Sequence, residues 1–287
     1  MRPGEELDVP AVDAWLKTRM PNLRGVPEVT QYSGGASNWT YRLKYESDDL
    51  VLRRPPAGTK AKSAHDMKRE FHVQSALRPV FPYVAEMLAL CEDPAPIGTD
   101  FYVMRRVDGI IPRAELGVDL DPGTTRDLCL RMIDTLVALH KVDPAKAGLE
   151  NLGKGNGYAR RQIEGWSERY LRARTWNAPT FRKVIDWLKR HTPEDVATCV
   201  IHNDYRFDNL VLDREDPTRI IAVLDWEMAT LGDPLMDLGN SLAYWIQASD
   251  DPIARSMRRQ PTHVPGMLTR AEVVDYYCDR MGFRPVN

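Results

Sequence analysis

Short strand-like runs fill the first part of the chain, and helical spacing of apolar residues dominates the rest. Between Pro10 and Met20, Val12, Trp15 and Leu16 sit at helical spacing before Pro21 ends the pattern. Val29 to Tyr32, Trp39 to Tyr45 and Leu50 to Arg53 then predict three strands separated by turns. The turn between the first two, Ser33 to Asn38, is built from small residues and an Asn, as a tight or ligand-hugging loop requires. Residues 65–77 predict a helix with Met67, Phe71 and Leu77 broadly on one side and Glu70 among them. Met87 to Cys91 and Phe101 to Val107 predict two further strands, after which Asp108-Gly109 breaks the pattern. Five short strands with one inserted helix suit a small antiparallel-sheet domain over 1–107.

From 108 to 287 the pattern is mainly helical. Leu128, Met132, Leu136 and Leu139 lie along one face of a helix from Thr124 to Lys141, with Thr124 or Thr125 as its cap. Further helices are expected at about 158–174, 180–191, 235–247 and 270–281. Between them, Cys199 to Ile201 and Ile220 to Leu224 read as buried strands. The fold class is therefore α+β, with two domains.

Composition narrows the function classes. The 287 residues are 43% hydrophobic and 28% charged, ordinary for a globular protein, and the net charge of −2 gives no global reason to expect a nucleic-acid partner. The longest aliphatic run, Ile220 to Leu224, is about a quarter of a bilayer span, so no membrane partner is expected. Acidic residues and no continuous apolar core near the start argue against a secretory signal. Four widely spaced cysteines form no CxxC pair, which suits reduced, buried thiols and a cytoplasmic protein. The oligomeric state stays open.

The chemistry is concentrated in Ile201-His202-Asn203-Asp204-Tyr205-Arg206-Phe207-Asp208-Asn209-Leu210. An Asp followed five positions later by an Asn, between apolar strands, matches the kinase pattern H-x-D-x-x-x-x-N. The Asp must face an attacking hydroxyl, and the Asn carbonyl must reach a metal ion on the ATP phosphates. Sixteen residues after Asn209, Asp225 closes an apolar run, where a carboxylate fixed at a strand's end can hold Mg²⁺. Taken singly, each residue suits a turn or cap; the ordered set is what points to a catalytic Asp204 with Asn209 and Asp225 as metal ligands. His202 reads as a brace for the loop.

The N-terminal domain offers the complementary parts. An ATP-dependent kinase needs backbone N–H groups near the phosphates, a cation on the third strand and a carboxylate to orient it. Ser33, Gly34, Gly35, Ser37 and Asn38 fit the first need, Arg53 the second and Glu70 the third.

With these residues in view, the chain resembles the aminoglycoside phosphotransferase and choline kinase-like superfamily. The likeness is to the branch that occurs as stand-alone bacterial phosphotransferases and as the kinase-like domain of some acyl-CoA dehydrogenase family members. The matching text is Tyr32 to Asn38, Val51 to Pro56, Leu139-His140-Lys141-Val142-Asp143, the catalytic loop, and Leu224-Asp225-Trp226-Glu227 with Gly232-Asp233-Pro234. The resemblance implies a two-lobed, protein-kinase-like fold with ATP in the cleft. Phe101 to Val107, with Met104 inside it, would be a hinge offering backbone hydrogen bonds to adenine. Two features depart from protein kinases: Trp226 and Glu227 replace Phe and Gly after the metal-binding Asp, and only eight residues separate Asp225 from Pro234. Little room is left for a docked peptide, so the expected acceptor is a small molecule.

Residues 158–191 would wall the acceptor side. They carry nine Lys and Arg against Glu164, Glu168 and Asp186, a local charge of +6, with Trp166, Tyr170, Trp176 and Trp187 interleaved. Such a surface attracts an anionic or CoA-linked hydroxy compound and repels an aminoglycoside, or else is simply solvated. Two alternatives stand beside the kinase reading: a catalytically silent ATP-binding module, and an aminoglycoside- or choline-type kinase. A dinucleotide-binding oxidoreductase is excluded because Ser33 to Asn38 lacks the G-x-G-x-x-G spacing, and no Walker A motif occurs.

Overall fold

The computed structural model describes residues 4–32, 38–56 and 66–284, which divide into two compact units. One comprises Met1–Pro112 with Asn209–Glu227, the other Arg113–Asp208 with Met228–Asn287. A linear boundary after residue 107 therefore misses one exchange: residues 209–227 pack with the first unit.

In the first unit, β1 (Glu28–Gln31), β2 (Trp39–Lys44), β3 (Asp49–Arg54), β4 (Met87–Cys91) and β5 (Phe101–Arg105) form one antiparallel sheet ordered β1-β2-β3-β5-β4. Strand alternation sorts the two faces. Tyr41, Leu43, Leu50, Leu52, Phe101 and Val103 share a core with Val12 and Leu16 of helix α1 (Val9–Arg19). The residues between them, Arg53 and its register partner Tyr102, turn to the opposite face and meet helix α2 (Met67–Leu77). Arg54, one residue on, alternates back to donate to the Glu6 carbonyl at 2.8 Å and to stack on Trp39 at 4.6 Å. Adjacent arginines thus have separate jobs.

The hairpin of β7 (Leu210–Leu212) and β8 (Ile220–Val223) belongs to this unit through short backbone bonds. Val223 N–H donates to Tyr83 at 2.7 Å, and Ile110 and Leu212 exchange bonds at 2.8 and 2.7 Å. Gly109 allows that approach, since a Cβ there would lie 2.3 Å from the Leu212 carbonyl oxygen. Trp226 is fully buried, edge-on to Phe81.

The second unit is mainly helical: α3 (Pro122–His140), α4 (Tyr158–Ala173), α5 (Arg182–Arg190), α6 (Pro234–Ala243), α7 (Pro252–Ser256) and α8 (Arg270–Met281). A two-stranded ladder pairs β6 (Cys199–Ile201) with β9 (Thr230–Gly232). The cap of α3 is Asp121, not a Thr: its carboxylate accepts from Gly123 and Thr124 N–H at 2.9 and 3.1 Å, and Pro122 follows as a first helical residue that needs no donor partner. Thr269 and Glu272 form a reciprocal capping box on α8. All four cysteines are free and buried, and burial pushes the Cys129 thiol up to about 12. No helix among the described residues is long and apolar enough to cross a membrane.

Candidate active site

In the first unit the side chains of Arg53, Glu70 and Asp225 converge. Arg53 lies 3.5 Å from Glu70 through Nη1 and 3.0 Å from Asp225 through Nη2. Helix α2 buries Met67, Glu70, Gln74 and Leu77 on one stripe, which turns the Glu70 carboxylate toward the sheet. Tyr102 donates to Glu70 Oε2 at 2.9 Å, and Asn38 donates to Glu70 Oε1 at 2.9 Å. Burial opposes the charge of Arg53, yet Tyr102, Glu70 and Asp225 together raise its pKa well above the ordinary value. Burial pushes the Glu70 carboxyl up, against the opposing pull of Arg53 and the Tyr102 hydroxyl. Among the described residues, the buried Nε of Arg53 has no hydrogen-bond partner.

The β7–β8 hairpin aligns the two expected metal ligands. Leu224 N–H donates to the Asn209 carbonyl at 2.7 Å, so Asn209 stands opposite the residue just before Asp225. Asp225 has a φ of 66°, a left-handed conformation uncommon outside glycine. Its side chain is 36% exposed, whereas Asn209 is buried.

In the second unit the segment that begins at His202 hangs on one buried carboxylate. Asp237 of α6 accepts from the backbone N–H groups of His202 and Asn203 at 2.8 and 2.7 Å, and lies 3.0 Å from His140 Nε2. The other ring nitrogen of His140 faces the Tyr277 hydroxyl at 2.5 Å. Burial works against the Asp237 charge, but these bonds from His140 and His202 hold its carboxyl below the usual range. Asn203, with φ 64°, is held by Tyr158 at 2.9 Å, by the Met228 carbonyl at 3.0 Å and by Asn240. Asp204 donates its N–H to His202 Nδ1 at 3.2 Å, and its carboxylate lies 3.3 Å from Arg206. Arg206 also pairs with Asp208 at 3.1 Å and stacks on Tyr244. The loop is thus fixed from its backbone outward, with the Asp204 carboxylate partly exposed.

Of the residues expected to meet nucleotide, Ser33, Gly34, Gly35 and Ser37 lie outside the described residues. Asn38 is buried and its amide is spent on Glu70 and on Glu227, 3.2 Å away. Met104 does not lie in a free linker: it pairs in register with Val51 and Met87 inside the sheet. The next two backbone N–H groups, of Arg105 and Arg106, are taken by Glu86 and Asp49. Sequence reasoning missed Tyr102, Glu227, Asp237 and the bracing role of His140. The alternation placing Tyr102 beside Arg53 was a usable signal; the link from His140 to Asp237, 97 residues apart, had no local one.

Trp166 on α4, Trp176 in the segment between the helices and Trp187 on α5 are all exposed, and the Arg169 guanidinium lies 4.0 Å over the Trp166 ring. The hairpin is basic on its surface, as its composition suggests.

Comparison with known proteins bears on the whole arrangement. A mouse protein, acyl-CoA dehydrogenase family member 10, is 38% identical over 279 residues, 96% of this chain but 26% of its own length. The chain therefore spans about a quarter of that relative. A Ralstonia eutropha crystal structure, provisionally named an aminoglycoside phosphotransferase, is 32% identical and covers 98% of this chain and 82% of its own, with a TM-score of 0.81. A streptomycin–ATP ternary complex of APH(2″)-IIa matches at a TM-score of 0.61 and 17% identity, covering 95% of this chain and 82% of its own, a likeness of fold. These neighbours share the α+β, two-lobed protein-kinase-like architecture. The model of the phosphotransferase enzyme family matches residues 28–272, and the chain belongs to that family.

Proposed function

We propose that the chain transfers the γ-phosphoryl group of ATP to a hydroxyl of a small molecule, with Mg²⁺ as the accompanying metal. The observation that carries this reading is the buried Arg53 held between Glu70 and Asp225, with Asn209 bonded beside Asp225 through Leu224. The donor set suits Mg²⁺: a carboxylate and an amide oxygen are hard ligands, and this ion keeps waters and substrate phosphates as its remaining partners. Asn209 and Asp225 would hold it, and when bound it neutralises charge on the phosphate oxygens. The buried Nε of Arg53, without a hydrogen-bond partner among the described residues, is a donor suited to an anion. Arg53 binds and orients the α- and β-phosphates, and Glu70 sets its direction.

Asp204, five residues before Asn209 in the chain, orients the acceptor hydroxyl and takes its proton. The Asp237 brace and the Arg206 pair fix where that carboxylate points. Positioning and charge neutralisation supply most of the rate in this chemistry. The basic α4–α5 surface favours an anionic acceptor, a CoA-linked hydroxy compound among them, over a polycationic aminoglycoside. A cytoplasmic setting fits the reduced cysteines.

A coupled ADP-release assay with Mg²⁺-ATP tests the reading. Hydroxyacyl-CoAs, aminoglycosides, choline and sugars serve as acceptors. Acceptor-dependent turnover is expected, falling about a thousandfold in Asp204→Ala and Asp225→Asn while both variants remain folded. Near-normal turnover in Asp225→Asn would sink the metal assignment. Mg²⁺-ATP binding with no turnover on any acceptor would favour a silent binding module.

A further inference from the structure

Asn38 sits at the meeting point of two carboxylates and is only 3% exposed. A side-chain amide has two N–H donors, and here the same nitrogen reaches Glu70 Oε1 at 2.9 Å and Glu227 Oε2 at 3.2 Å. The two oxygens of Glu70 divide their work: Oε1 takes Asn38, while Oε2 takes the Tyr102 hydroxyl and faces Arg53. Glu227 is held twice, by its side chain to Asn38 and by its backbone carbonyl to Arg69 Nη1 at 3.1 Å. It lies two residues beyond Asp225, with the fully buried Trp226 between them.

These bonds close a ring. Arg53 contacts Glu70, Glu70 contacts Asn38, Asn38 contacts Glu227, the chain runs from Glu227 back to Asp225, and Asp225 returns to Arg53. Asn38 is the neutral member, and its amide nitrogen reaches both carboxylates. A carboxylate in its place would add a fourth negative group to a ring that holds one arginine.

We infer that Asn38 and Glu227 are positioning residues, which lock the direction of the phosphate-binding Arg53 to that of the metal-side triplet Asp225-Trp226-Glu227. Neither needs to touch nucleotide to do so. This rests on the phosphotransfer reading for its catalytic meaning, though the ring is a property of the folded chain alone. It also explains why a Glu occupies a position where a protein kinase has Gly: the side chain is required as the far anchor of the Asn38 amide.

Two measurements on the full chain test it. The first uses no nucleotide: a double-mutant cycle of Asn38→Ala and Glu227→Ala read by urea unfolding. Coupled effects are expected, the double variant falling little below the worse single one, whereas strictly additive losses would overturn the ring. The second measures binding of a non-hydrolysable ATP analogue as Mg²⁺ is varied. Asn38→Ala and Glu227→Ala are each expected to weaken binding about tenfold, and Asn38→Asp more than Asn38→Ala. Glu227→Gln, which keeps an acceptor oxygen for Asn38, should stay within about threefold of the parent with the same Mg²⁺ requirement. If Glu227→Gln were as damaging as Glu227→Ala and raised the Mg²⁺ requirement, Glu227 would be a metal ligand and the strut would be wrong. If the parent chain bound no nucleotide, the phosphotransfer reading would fall, and the unfolding cycle would still decide the ring.

Discussion

Among the described residues, Phe181, Asn203 and Asp225 are the non-glycine residues with positive φ, and the last two sit in the segments assigned to chemistry. A left-handed conformation costs an L-residue about 1–2 kcal/mol, less for Asn and Asp, whose short polar chains bond locally. At Asn203 the surroundings hold that conformation with bonds from Tyr158, Asn240 and the backbone at 202–203. Two substitutions separate conformation from bonding. Asn203→Gly keeps the backbone but loses the side-chain bonds, a loss of about 1–2 kcal/mol. Asn203→Val adds a β-branched chain in a forbidden region and should lose about 2–4 kcal/mol. Urea midpoints for the two variants check this; equal values would mean the conformation itself is not constrained.

At the scale of elements, helix α6 holds the backbone of His202 and Asn203 on Asp237, and that support depends on charge. The folded protein favours the ionised carboxylate, since the Asp237 pKa is lowered from its ordinary 3.8. The stabilisation is therefore complete above about pH 4 and is lost as pH falls through the lower, folded value. Asp237→Asn leaves a donor facing backbone N–H groups and should lose about 3 kcal/mol at neutral pH. Urea midpoints of parent and variant should converge as pH drops below 4; curves that stay parallel to pH 3 would show that Asp237 is not the source.

The same elements show what a sequence reveals. Strands β2 to β5 and helix α2 were legible because an apolar period of 2 or 3.6 survives in each. Asp204, Asn209 and Asp225 stood out because their order and spacing match a kinase pattern; their roles remain part of the proposal. Strand β9, three residues long, is too short to show a period, and its pairing with β6 is set by partners about thirty residues away. The α3 cap was misplaced by three residues because two threonines follow Asp121 and compete for the same signal. The ring through Asn38 was invisible for a different reason: it joins residues from four separate stretches, and no local pattern links one stretch to the next.

At the scale of the whole molecule the net charge of −2 conceals a strongly basic stretch, +6 over residues 158–191. If that surface recruits the acceptor, its effect must fade with screening, since the Debye length falls from about 10 Å at 0.1 M salt to about 3 Å at 1 M. The KM of an anionic acceptor should rise several-fold over that range, and that of a neutral acceptor should not. Arg169→Glu with Arg172→Glu should reproduce the change at low salt while leaving the KM for ATP alone. A salt response shared by neutral and anionic acceptors would remove the surface from the account.

The first unit is stitched from two distant lengths of chain, Met1–Pro112 and Asn209–Glu227. On the ribosome this imposes a wait. At about 5–20 residues per second, roughly 6–23 s pass between the synthesis of Pro112 and that of Glu227. During that interval the nascent sheet lacks the β7–β8 hairpin, the Trp226 indole that packs against Phe81, and every acidic partner of Arg53 except Glu70. A half-made unit, with Arg53 short of Asp225 and Phe81 uncovered by Trp226, is the species a chaperone would meet.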